Sequence, residues 1–202
     1  MELLLIRHAR PRRVERAQGR ADPGLDPLGR RQARALADWL VDEAPTALYV
    51  SPLRRAVETA LPLAETCALE ARAHEGVAEW NRDDPVYIPV EELRAEAHPA
   101  WTAMRDGRWD ELGVDAAAFR DRVTTALDGI AAAHPGERVA VVCHAGVINA
   151  YTAEVLGLGR LLWFEPAYTS ITRVLVDRSG RRSVHSVNES AHLRGVAAPP
   201  ET

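Results

Sequence analysis

The chain has 202 residues, 47% hydrophobic and 27% charged, with 25 basic against 29 acidic side chains and a net charge of −4. That length suits a single domain over 1–202, large enough to bury roughly 70% of its unfolded surface without disulfide or metal staples. The composition excludes a largely disordered chain, and the nearly balanced charge argues against nucleic acid or a membrane surface as partner.

Cys67 and Cys143 are the only cysteines, too few for a disulfide framework and in no CxxC pair. No apolar run approaches the ~20 residues of a membrane span. The opening MELLLIRHAR turns charged too early for a signal peptide. A cytoplasmic protein from a reducing compartment is expected.

In chain order, the unbroken apolar run Leu3–Arg7 reads as a buried strand. A polar loop rich in proline and glycine comes next, from Pro11 to Pro27. Leu28–Asp42 has helical period, with Leu28, Ala35, Leu36, Trp39 and Leu40 on one face, and Pro45 ends it. Ala47–Ser51 is a short strand and Leu53–Cys67 a helix that contains Pro62. Ala71–Val77 reads as a weaker third strand.

Residues 80–115 carry Pro85, Pro89, Pro99 and three of the five tryptophans, Trp80, Trp101 and Trp109. They read as an insertion of one or two short helices forming a lid over the edge of the core. Those tryptophans suit packing of core and lid, or an aromatic wall to a substrate pocket. Helical period returns over Ala116–His134, ended by Pro135-Gly136. Arg138–Cys143 is a strong buried strand and Ala145–Leu156 the helix after it. Ile171–Val176 and Ser183–Val187 form a hairpin about the turn at Asp177–Gly180, and the closing AAPPET is expected to fray. Strands alternating with helices predict an α/β three-layer sandwich on a mostly parallel sheet.

The residues directly after each strand are chemically loaded. Arg7-His8 comes after the first, Ser51-Pro52-Leu53-Arg54-Arg55 after the second, Glu79 after the weak third and His144-Ala145-Gly146 after the late one. Ligands in open α/β sheets bind beyond the carboxyl ends of strands, so two histidines, several arginines and a carboxylate converge on one edge. Guanidinium groups match phosphoryl oxygens with bidentate hydrogen bonds. A neutral imidazole can attack phosphorus, a carboxylic acid can protonate the leaving oxygen, and a second histidine can steady the equatorial oxygens.

Four motifs in order resemble the histidine phosphatase superfamily, the phosphoglycerate mutase-like family, from Leu3 to about Leu193. They are LLLIRHA at 3–9, LDPLGRRQA at 25–33, SPLRRAVETA at 51–60 and VVCHAGVI at 141–148; the stretch NESAHL at 188–193 resembles a common family ending. The resemblance implies that His8 is a nucleophile forming a phosphohistidine, that Arg7 and Arg55 bind phosphate, that His144 with Ala145 completes the phosphate pocket, and that Glu79 is the proton donor. It implies a metal-independent phosphomonoesterase acting on a small phosphorylated metabolite, with no cofactor and no metal.

The chain departs from the family pattern where Ala9 and Ala145 replace glycines. The usual Thr or Ser and Asn after the first motif are replaced by Arg10-Pro11-Arg12-Arg13-Val14, and the Gly-x-Trp-Glu-Gly segment after the acid is absent. Asp83 or Asp84 therefore stands beside Glu79 as candidate acid, and Arg10, Arg12 or Arg13 as a candidate substrate contact. A phosphoglycerate mutase and a phospho-ligand-binding protein without turnover are the rival readings, and a homodimer is left open.

Ser51 reads as a helix cap. Arg54 reads as a solvated helix residue, and His74, His98, His134, His185 and His192 as packing or solvation. Cys143 lacks the Cys-x5-Arg of cysteine phosphatases, since position 149 is Asn. The tryptophans and the basic loop Arg10–Arg20 favour a substrate with an apolar or aromatic part and extra negative charge.

Overall fold

Leu3, Leu4, Leu5 and Ile6 are all fully buried because their strand, β1 (Glu2–Arg7), lies inside the sheet with both faces covered. The computed structural model describes residues 1–15 and 17–196; the expectation of a frayed AAPPET end lies outside the described residues. The remaining elements are α1 (Pro27–Leu40), β2 (Ala47–Val50), α2 (Arg54–Cys67), β3 (Ala71–Ala73), α3 (Val90–Ala95), α4 (Pro99–Asp106), α5 (Ala116–Ala133), β4 (Arg138–Cys143), α6 (Ala145–Leu156), β5 (Ile171–Val176) and β6 (Arg182–Glu189). The strands make one six-stranded sheet in the order β3-β2-β4-β1-β5-β6. β3, β2, β4 and β1 pair in parallel, while β5 runs antiparallel to both β1 and β6.

The period of two along the central strands divides the core between two layers. Leu3, Leu5, Val139, Val141 and Cys143 face the cluster built with α5 and α6, through Val123, Leu127, Val147 and Tyr151. Leu4, Ile6, Ala140 and Val142 face the cluster built with α1 and α2, through Leu36, Leu40, Ala60 and Leu63. Helices on both faces of the sheet make the three-layer sandwich. No helix among the described residues is long and apolar enough to cross a membrane.

Three local expectations change. The third strand stops at Ala73, and Glu75–Val77 turns into a 3-10 segment capped by the His74 side chain on the Gly76 amide. In α1 the buried face is Gly29, Gln32, Ala33, Leu36, Ala37 and Leu40, whereas Trp39 is 45% exposed. Alanines let α1 lie close to Ala56 and Ala60 of α2, and the bulkier indole is left outside that contact. Ser51 does not cap α2; that helix begins at Arg54 with Leu53 at its N-cap and no side-chain cap.

Candidate active site

The strand register brings the two histidines together. Arg7 pairs with Cys143 across the parallel β1–β4 ladder, and the His8 amide donates to the Cys143 carbonyl at 2.9 Å. His8 and His144 are therefore the next residues on adjacent strands, and their ring centroids lie 5.1 Å apart. β2 pairs with the other edge of β4, and the Ser51 amide donates to the Val142 carbonyl, so Ser51 ends its strand beside His144.

Hydrogen bonding sets the roles of the ring nitrogens. His8 Nδ1 lies 2.8 Å from the Ala9 carbonyl oxygen, which can only accept. Nδ1 therefore carries the proton and Nε2 keeps its lone pair. Burial, then the charges of Arg55 and Arg7, hold the His8 pKa well below that of an ordinary histidine, so the ring is neutral at pH 7. His144 Nε2 lies 2.7 Å from Ser51 Oγ, which itself accepts from the Leu53 amide. The Ser51 hydroxyl hydrogen is thus available to Nε2, and the imidazole proton is assigned to Nδ1, a buried atom with no partner.

Arg7 and Arg55 are 3% and 1% exposed. Among the described residues no carboxylate lies within ion-pair distance of Arg55, whose guanidinium stacks 4.6 Å above the Tyr87 ring. The Nε atoms of both arginines are buried without a partner. A buried charge and unsatisfied donors are costly unless an anion completes them. Ala145 opens α6, whose first-turn amides have no intrahelical acceptor and add to that positive field.

Glu79 is buried at the same edge. Its Oε2 accepts from the Gly146 amide at 3.0 Å and its Oε1 from the Trp80 amide at 3.1 Å. Burial raises its pKa against the opposing pull of those amides and of the two arginines. A Cβ on Gly146 would collide with Glu79 Oε1, so any larger residue there displaces the carboxylate. Asp83 and Asp84 are exposed; Asp84 reaches the rim of the same cavity, but neither carboxylate is enclosed with the histidines as Glu79 is. Ala9 is accommodated, fully buried with its amide on Thr59 Oγ1 at 2.9 Å.

The residues given roles by the resemblance meet here: Arg7, His8, Arg55, Glu79 and Ala145 line one cavity of about 250 Å³, and His144 lies behind them against His8. The basic loop does not join them. Arg10 pairs with Asp26, Arg13 with Glu15, Glu92 and Glu96, and Arg20 with Asp22, so the extra anionic contact expected of Arg10 or Arg13 is taken by carboxylates of the chain itself. Arg12 is exposed and absent from the cavity lining. Arg54 is a solvated helix residue, paired with Glu58 one turn on.

Sequence reasoning missed four neighbours. Glu91 in α3 meets Arg7 Nη1 at 2.6 Å and Nη2 at 3.3 Å. Tyr168 lies under the Arg7 guanidinium at 3.9 Å and donates its hydroxyl to Glu91. Tyr87 underlies Arg55, and Ser51 holds His144 rather than a helix end. Ser51 alone had a local signal, being first in its motif block; the others arrive through contacts between segments far apart in sequence.

Among the described residues no group of three or more His, Cys, Asp or Glu side chains is arranged to hold a metal ion. The chain is 34% identical over 206 residues to the metal-independent phosphoserine phosphatase of Arabidopsis thaliana, covering 96% of this chain and 84% of that protein. It is 32% identical over 173 residues to the glucosyl-3-phosphoglycerate phosphatase of Mycobacterium tuberculosis, covering 80% of this chain and 78% of that protein. The native structure of a mycobacterial glucosyl-3-phosphoglycerate phosphatase superposes with a TM-score of 0.77 at 28% identity, covering 94% of this chain and 99% of that one. The family model of the histidine phosphatase superfamily (branch 1) matches residues 3–189, and the chain belongs to that superfamily.

Proposed function

We propose that this phosphatase hydrolyses a small phosphomonoester through a phosphohistidine on His8. The observation that carries the reading is the His8 ring itself: buried, neutral, with Nδ1 tied to the Ala9 carbonyl and Nε2 free, facing His144 between two buried arginines. The phosphoryl oxygens take the donors that lack partners, on Arg7, Arg55 and His144 Nδ1, with the Ala145 end of α6 behind them. His8 Nε2 forms a bond to phosphorus as the ester P–O bond breaks, and protonated Glu79 gives its proton to the leaving oxygen. Water then attacks phosphorus, Glu79 takes its proton, and the P–N bond breaks to release phosphate and neutral His8.

Residues 80–115 act as a lid within the single domain, since α3 and α4 stand over the cavity. Cys67 and Cys143 are free thiols, which supports a cytoplasmic setting. The test is direct. His8→Ala is expected to lower turnover of a chromogenic phosphate ester by on the order of a million-fold, as loss of an attacking nucleophile does. Alkaline quenching of the wild-type enzyme on labelled substrate is expected to trap acid-labile, base-stable phosphate on His8. A near-normal rate in the variant overturns the mechanism.

A further inference from the structure

The cavity that contains the phosphate end continues away from His8 into a different chemical setting. Its lining also includes Trp80, beside Glu79, and Trp101, Met104, Trp109, Leu112 and Leu162. Trp80 and Trp109 pack edge to face with centroids 6.0 Å apart, so the wall is a fixed aromatic surface. Among the described residues the lining arginines are Arg7 and Arg55 alone, and both lie at the phosphate end.

The other charged lining groups are acidic or already committed. Glu79 is the proposed acid, Asp84 is a further carboxylate, and Glu165 is paired with Arg94 at 2.6 Å. His98 spends Nδ1 on the Ala100 amide. Among the described lining residues, a second anionic group on the substrate would therefore meet aromatic carbon and carboxylates, with no further arginine or lysine to receive it. Among the described residues of the basic loop, Arg10, Arg13 and Arg20 face carboxylates and Arg12 is absent from the lining. Asn81 Oδ1 on that side is buried without a partner.

We infer that the alcohol part of the substrate is apolar, aromatic or long-chain alkyl, carries no second anionic group, and packs against Trp101, Met104 and Leu112. This rests on the phosphomonoesterase reading above. It separates the chain from the substrates in the names of its relatives, phosphoserine and glucosyl-3-phosphoglycerate, each of which bears a carboxylate beside the phosphate.

The test uses the purified full chain and a series of esters whose alcohols have similar leaving ability: ethyl, butyl and 2-phenylethyl phosphate, against O-phosphoserine and 3-phosphoglycerate. kcat/KM is expected to rise along the apolar series, with 2-phenylethyl phosphate ahead of phosphoserine by at least about tenfold, the lower end of what burying an aromatic ring supplies. Trp101→Ala is expected to cut the 2-phenylethyl to ethyl ratio by about tenfold. Leu112→Gln should narrow the same ratio, and it serves if the tryptophan variant fails to give a wild-type thermal melt. Equal or faster hydrolysis of phosphoserine or 3-phosphoglycerate, or a variant that lowers both alkyl esters in the same proportion, overturns the inference and leaves the hydrolase reading intact. Failure to hydrolyse any ester of the series overturns the hydrolase reading itself.

Discussion

The two ends of the cavity are built in opposite ways. The phosphate end consists of residues that stop central strands: His8 after β1, Ser51 after β2 and His144 after β4, with neighbouring backbones bonded across the sheet. The far end consists mostly of side chains from short helices and loops inserted between β3 and α5, with Leu162 from the loop after α6, and Glu91 on Arg7 is one joint to the first. Strand ends share one rigid register, so chemistry placed there keeps its geometry. Inserted helices are fixed by side-chain packing and ion pairs, and most of their side chains can change without disturbing the reacting atoms. Substitutions at the first end should act on every substrate alike, and substitutions at the second should act on the choice between substrates.

Glu79→Gln is the strongest way to break that division after His8 itself. It should slow alkyl phosphates by about a hundred- to ten-thousand-fold, the usual worth of a positioned acid. With p-nitrophenyl phosphate, whose phenolate leaves without a proton, a burst should be followed by slow turnover, because the same carboxylate serves the second step. The wild-type rate on alkyl esters should fall as pH rises through the raised Glu79 pKa, since the acid form is consumed, and the variant should lose that fall. A variant equally slow in the burst and the steady state would assign Glu79 a structural role.

Gly146→Ala comes next. Its methyl would push Glu79 off the Gly146 amide, and a displacement of this size should cost about tenfold to a hundredfold in kcat for every ester. A change confined to KM for large esters would mean that the Glu79 end is part of the selective wall. The smallest effect is expected at the joint. Glu91→Gln removes a carboxylate from Arg7 and leaves that guanidinium on the Pro166 carbonyl. The free protein should lose about 1–3 kcal/mol. Inorganic phosphate should then raise its melting temperature more than it raises that of the wild type, because the anion has lost its competitor for Arg7. An unchanged phosphate response would separate Glu91 from the phosphate end altogether.

Much of the first end was legible from local signals. Unbroken apolar runs at 3–6 and 139–143 marked two interior strands, and charged residues directly after them marked the site. The motif blocks named Arg7, His8, Arg55 and His144, the position after the weak third strand offered Glu79, and all five meet. Local pattern failed where partners come from far along the chain. Periodicity put Trp39 on the buried face of α1, but close packing against the alanines of α2 leaves it 45% exposed. Composition made Arg10–Arg20 a basic contact for substrate, yet Arg10, Arg13 and Arg20 are neutralised by Asp22, Asp26 and the carboxylates Glu92 and Glu96.

The order of residues alone determined which groups can do phosphoryl chemistry, because attack, protonation and anion binding need particular functional groups just past the strands that carry them. Tertiary structure alone decided which nitrogen of each imidazole is free, which arginine is left without a carboxylate, and that the tryptophans of 80–115 face the same cavity as His8. Those outcomes depend on distances between segments far apart in the chain, and such distances exist only once sheet register and helix packing have been set.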